Sequence, residues 1–174
     1  VLSMLRRQPG STRFPDTPLF RSRAEEAERA GWGGLRVADA DVCCDPDGLS
    51  AALVEIEPDC RTDLHWHLNT SVWQICLDGE GQLTRLPKGC RQHNATLRPG
   101  VMAYVPRGEG YFVRNDGDRP VRLLEIFRSD HYHDLSLPQW LAASPAEDIA
   151  AHLCVDVGVG AGLAGRENAW PGRI

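Results

Sequence analysis

LHWHLNTSVWQICLDGEGQLTRL, Leu64 to Leu86, holds two short apolar-rich runs separated by an Asp-Gly-Glu-Gly turn. Runs of this length with a period of two are half-buried strands, and Asp78-Gly79 is hairpin chemistry. His65 and His67 stand two apart and so share one face of their strand. Two imidazoles on one face begin a metal site, yet no carboxylate, cysteine or histidine follows where further ligands are wanted.

The same punctuation continues on both sides. AALVEIE, VMAYVP, YFVRN and VRLLEIF also have strand length, are separated by Gly, Pro, Asp and Asn clusters, and include a second Asp-Gly turn in NDGDRP. Evenly spaced short strands from Leu35 to Phe127 predict an all-β sandwich or barrel. Ahead of them, Ser3 to Pro18 is polar and broken by Pro9, Gly10, Pro15 and Pro18, as an extended arm would be, and SRAEEAERA (Ser22–Ala30) is a short helix candidate. Behind them, Leu137, Trp140 and Leu141, then Ile149 and Leu153, fall at helical spacing, with Ser144-Pro145 opening the second helix. The chain thus divides into an arm with a short helix (1–32), a β domain (33–135), short C-terminal helices packing on it (136–156) and a Gly- and Ala-rich tail (157–174) expected to be flexible.

A chain of 174 residues, 42% of them hydrophobic, fits one domain with a real core. The net charge of −5 argues against nucleic acid, whose phosphates call for a basic face. No apolar run approaches the ~20 residues of a membrane helix, so no membrane partner is expected. Localisation stays open, with a lean toward the cytoplasm. Cys43, Cys44, Cys60, Cys76, Cys90 and Cys154 show no C-x-x-C or zinc-ribbon spacing and read as free thiols.

LHWH, NT, WQ, LDGEGQLT, RPGVMAYVPRGEGYFVRN and LLEIFRSDHYHDLSLPQWLA together resemble the oxalate decarboxylase-like cupins, from about Gly33 to Leu153. The resemblance implies a jelly-roll barrel, the double-stranded β-helix, closed by short C-terminal helices. Its first motif, H-x-H-x(3,4)-E-x(6)-G, is met by HWHLNTSVWQICLDG apart from the Glu, and its second, P-x-G-x-x-H-x(3)-N, by PRGEGYFVRN apart from the His. Family members hold Mn, Fe or a similar ion with three His and one Glu; here Val72 takes the Glu position and Tyr111 the third His position. The arginine that holds oxalate in the family is matched by Thr62. On this reading no cofactor is expected, the alternative being a weakly bound divalent metal (Mn, Fe, Ni or Zn) on His65 and His67.

Strand parity places Val72, Gln74 and Cys76, then Tyr111 and Val113, on the face shared with the histidines. Glu125 has apolar parity mates in Val121, Leu123 and Phe127, but parity alone leaves both faces open; the resemblance places a glutamate there near the pocket. The expected catalytic groups are His65, His67, Tyr111 and Glu125, with Thr62, Val72, Gln74, Cys76, Tyr104 and Val113 around a small, largely apolar substrate. The expected function is metal-independent acid–base chemistry, such as isomerisation, cyclisation, epimerisation or dehydration, on a natural-product intermediate. The alternatives are a metal-dependent oxygenase or decarboxylase and a non-catalytic small-molecule binder. HYH (His131–His133) is a candidate lid able to lend ligands. A homodimer is the expected assembly.

Overall fold

The computed structural model describes residues 28–40, 48–89 and 91–164. Its strands are β1 (Glu28–Ala30), β2 (Gly33–Ala38), β3 (Ser50–Ile56), β4 (His65–Trp66), β5 (Val72–Asp78), β6 (Gly81–Leu86), β7 (His93–Leu97), β8 (Met102–Val105), β9 (Gly110–Arg114), β10 (Val121–Phe127) and β11 (Leu135–Ser136). Helices α1 (Leu137–Ala142), α2 (Ala146–Leu153) and α3 (Val157–Ala164) follow. The strands form two antiparallel sheets, β1-β2-β3-β10-β5-β8 and β11-β4-β9-β6-β7. From β3 to β6 and again from β7 to β11 each strand crosses to the other sheet, which makes the architecture a jelly roll.

Alternation along the strands builds the interior. In β3 and β10 every second residue is buried, and Val54 pairs with Leu123 and Ile56 with Val121 in the middle of the larger sheet. Leu83 and Val113 pair on the smaller sheet and complete one core with Val72, Cys76, Val105 and Phe127. Between β5 and β6 the backbone reverses at Gly79, with φ +78°, where a Cβ would stand 2.5 Å from the Pro120 carbonyl oxygen. Only glycine meets both demands.

The helices start and stop where side chains can serve the backbone. Ser136 caps α1 in a reciprocal capping box with Gln139, and α2 ends at Cys154 in the left-handed conformation. Three expectations are corrected or set aside. The last three residues of the helix candidate Ser22–Ala30 form β1, because they pair with Gly33–Leu35 and gain sheet hydrogen bonds that a short helix cannot match. Val157–Ala164, expected to be flexible tail, forms α3 against α2 and α1, and Gly160 lets the helices close up near the Ala146 carbonyl. The arm Ser3–Pro18, the rest of that helix candidate, Cys43, Cys44, Cys90 and the chain after Ala164 lie outside the described residues. Cys60, Cys76 and Cys154 are free thiols. No described helix is long and apolar enough to cross a membrane.

Candidate active site in the barrel

β4 sets His65 directly opposite Tyr111 of β9, and His67 follows just past the end of β4. Both imidazoles are buried and anchored through Nδ1, His65 on the Asp63 carbonyl at 2.8 Å and His67 on the His133 carbonyl at 2.6 Å. A carbonyl only accepts, so Nδ1 of each ring carries the proton and Nε2 keeps its lone pair. Burial away from water pushes the pKa of His65 down to about 4; burial, with the neighbouring His65, takes His67 to about 3. Near neutral pH both rings are uncharged bases.

Tyr111 joins the two sheets. Its Oη lies 2.9 Å from His67 Nε2 and 3.3 Å from Glu125 Oε1, and the ring is fully buried. Glu125, from β10 of the facing sheet, also accepts from Gln74 Nε2 at 2.6 Å. Burial raises the Glu125 pKa to about 7 against the hydrogen bonds from Gln74 and Tyr111, which oppose the rise. The phenol is pushed well above its ordinary range, by burial first and then by the charges of Glu125 and Asp134. Tyr111 has one proton and two acceptors: it donates to Glu125 when the carboxylate is ionised, and to His67 when the carboxyl is protonated and itself donates. Glu125, Tyr111 and His67 therefore form one buried path for a proton.

The structure brings Val72, Gln74, Cys76 and Val113 onto the inner faces, but not in equal roles. Val72 is packed beside Phe127 in the core, and the Cys76 thiol turns to the Asp78 and Gly79 carbonyls. Thr62 is buried, and its Oγ1 accepts from the Val113 N–H at 3.0 Å, so it ties β9 to the preceding loop. Tyr104 is a correction: it is 43% exposed and packs on Trp73 outside the barrel, because β8 turns Ala103 and Val105 inward.

Two residues the sequence reading missed complete the surroundings. Tyr132 is buried with its ring edge-on to His67 and Phe127, closing the barrel beneath the loop that Asn69 holds through Ser129 and the His131 carbonyl. Asp134 is buried just before β11, the strand that pairs with β4 at His65. The signal for both was the phase of HYHD before the Ser136 cap, legible only once β11 is placed beside β4. Of HYH itself, His133 contributes its carbonyl to His67, while His131 pairs with Asp130 at 3.2 Å.

The cupin family model matches residues 46–156. The chain belongs to the cupin family. This cupin is 35% identical over 144 residues to oxalate decarboxylase OxdC of Bacillus subtilis (strain 168), across 83% of its own length and 37% of that protein's. It is 27% identical over 138 residues to an oxalate decarboxylase of Arthroderma benhamiae, across 78% and 32% of the two chains. The solved structure of B. subtilis oxalate decarboxylase at pH 4.6 superposes with a TM-score of 0.79 at 33% identity, over 84% of this chain and 38% of that one. A structure used to assign the EPR parameters of the Mn(II) centres of the same enzyme gives 0.80 at 32% identity, over 88% and 41%. This cupin thus spans well under half the length of the curated relatives it matches.

The Mn(II) centres of that relative overturn the expectation that no cofactor is involved, and the expectation is withdrawn. The residues of this cupin nevertheless do not fit a four-ligand cage. Val72 has no donor atom, and the Tyr111 hydroxyl is engaged by His67 and Glu125. No group of three or more His, Cys, Asp or Glu able to hold an ion occurs among the described residues. His65 and His67 are the two imidazoles that remain for one.

Proposed function

We propose that this cupin is an enzyme that moves a proton on a small substrate held in the barrel, with His67 as base and Glu125 as acid, connected through Tyr111. The observation that carries this reading is the unbroken contact from Glu125 Oε1 to Tyr111 Oη to His67 Nε2, at 3.3 and 2.9 Å. A carboxyl with a pKa of about 7 gives and takes protons near neutral pH, and a neutral imidazole whose Nε2 lone pair faces the Tyr111 hydroxyl accepts one. Isomerisation, epimerisation, cyclisation and dehydration are the reaction types such a pair supports. The test is incubation in deuterated water with small oxo, hydroxy and dicarboxylic acids that carry a C–H bond beside the functional group, followed by NMR for deuterium at carbon. Wild type is expected to exchange, and Tyr111→Phe and Glu125→Gln to lose exchange. Wild-type rates in both variants would remove the reaction from the barrel.

A second reading, a metal-dependent decarboxylase or oxygenase using His65 and His67, is favoured by the oxalate decarboxylases among the relatives and by the Mn(II) centres of one of them. Its support lies in the sequence identity rather than in the ligand set. Formate released from oxalate after loading with Mn(II), and lost in His65→Ala, would establish it. The proposed assembly is a homodimer, which light scattering at the mass of two chains would support.

A further inference from the structure

The outer face of the larger sheet is apolar, where the solvent side of an antiparallel sheet is normally polar. In β5 the outward residues are Trp73, Ile75 and Leu77, while the inward set includes Gln74, so the outside of this strand is its more apolar side. Ile126, Trp73 and Tyr104 are register partners across β10, β5 and β8, and Leu124, Ile75 and Met102 form the adjoining row. Ala51 and Leu53 carry the two rows onto β3. Met102 is 58% exposed and Trp73 48%, so no described residue covers the middle of these rows. The described helices pack on one another and on β11 of the smaller sheet.

Size and charge say what fits there. Across β2, β3, β10, β5 and β8 the face measures about 24 Å by about 20 Å, which with side-chain relief comes near the ~800 Å² per partner of a standard interface. Its border carries both signs in bound pairs: Arg122 holds Glu55 at 2.7 Å, and Arg119 stands 3.9 Å from Asp78. Arg36 adds a single positive charge on the β2 side, beside Leu53. The chain carries a net charge of −5, so its excess negative charge lies off this face. A border so nearly balanced gives an oppositely charged partner little to meet. An identical copy brings what the face lacks: a sheet of the same twist, an apolar centre and border charges that are already paired.

We propose that a second copy of this chain covers the outer face of the larger sheet, sheet on sheet about a two-fold axis. The proposal rests on the homodimer reading above and names its interface. It also accounts for the sequence of the strands, because β5 and the centre of β10 are then buried on both faces, as near-continuous apolar runs require.

The test is sedimentation velocity over a dilution series of the full chain and of Met102→Glu, Leu124→Glu and Thr96→Glu. Wild type is expected to be a dimer. Met102→Glu and Leu124→Glu should each weaken it about 100-fold or more, since a two-fold interface buries every new carboxylate twice. Thr96→Glu, the same charge on exposed β7 of the other sheet, should leave the dimer intact. Circular dichroism melts of the diluted variants check the fold. A second measurement needs no variant: oxidation of Met102 by hydrogen peroxide, followed by peptide mass spectrometry, should be slow where the chain is dimeric and fast on dilution. A dimer that survives both β-face variants overturns the interface and leaves the homodimer standing, whereas a wild type monomeric at every concentration overturns both. Equal weakening by Thr96→Glu, or a Met102 oxidation rate independent of concentration, also overturns the interface. A monomer whose Met102 becomes reactive only on removal of residues 1–27 would assign the face to the chain's own N-terminal segment instead. The deuterium-exchange experiment judges the proposed chemistry separately, because it does not read assembly.

Discussion

Tyr111 Oη and His67 Nε2 face each other at 2.9 Å inside the barrel, with no solvent exposure at the tyrosine. The same hydroxyl touches Glu125, so its removal acts on both neighbours at once.

Tyr111→Phe keeps the ring and removes that oxygen. A stability loss of about 1–3 kcal/mol is expected in denaturant unfolding, since a buried hydrogen bond is lost while the packing stays. The hydrogen bond from Tyr111 holds the Glu125 pKa down, so the variant should titrate Glu125 at higher pH, followed by the carboxyl band in infrared difference spectra.

Glu125 also shapes the pH dependence of folding. Its pKa is about 7 when folded against an ordinary 4.5 for an unfolded glutamate, so between these the folded state binds more protons. Stability should fall as pH rises from 4.5 to 7, by about 3 kcal/mol, and level off above. Glu125→Gln should flatten this limb in urea titrations across that window.

The histidines act in the opposite direction. Their folded pKa values of about 4 and 3 lie below the ordinary 6.5 of an unfolded histidine, so below that pH the unfolded chain takes up protons that the folded one refuses. Stability should fall as pH drops from 6.5 toward 3. His67→Gln, which does not titrate, should make this acid limb shallower. A limb of unchanged slope would mean that His67 is not held neutral.

Metal affinity is open to rebuilding. Val72→Glu together with Tyr111→His supplies the carboxylate and third imidazole beside His65 and His67. Mn(II) should bind the double variant at least tenfold more tightly than wild type, measured by EPR of the free ion. Equal affinities would show that backbone geometry, and not side-chain identity, limits the site.

Sheet formation and the inward direction of His65, His67, Gln74 and Tyr111 were legible in the sequence, because side-chain alternation is a local property of an extended chain. Glu125 was undecided by parity; β10, central between β3 and β5, turns it inward with Leu123 and Phe127. Tyr104 fell on the wrong face because its parity depends on where β8 begins after the Gly100 turn. Asp134 reads in sequence as a loop acid. Only the pairing of β11 with β4 sets it beside the site, since register joins residues far apart in the chain and no local pattern encodes it.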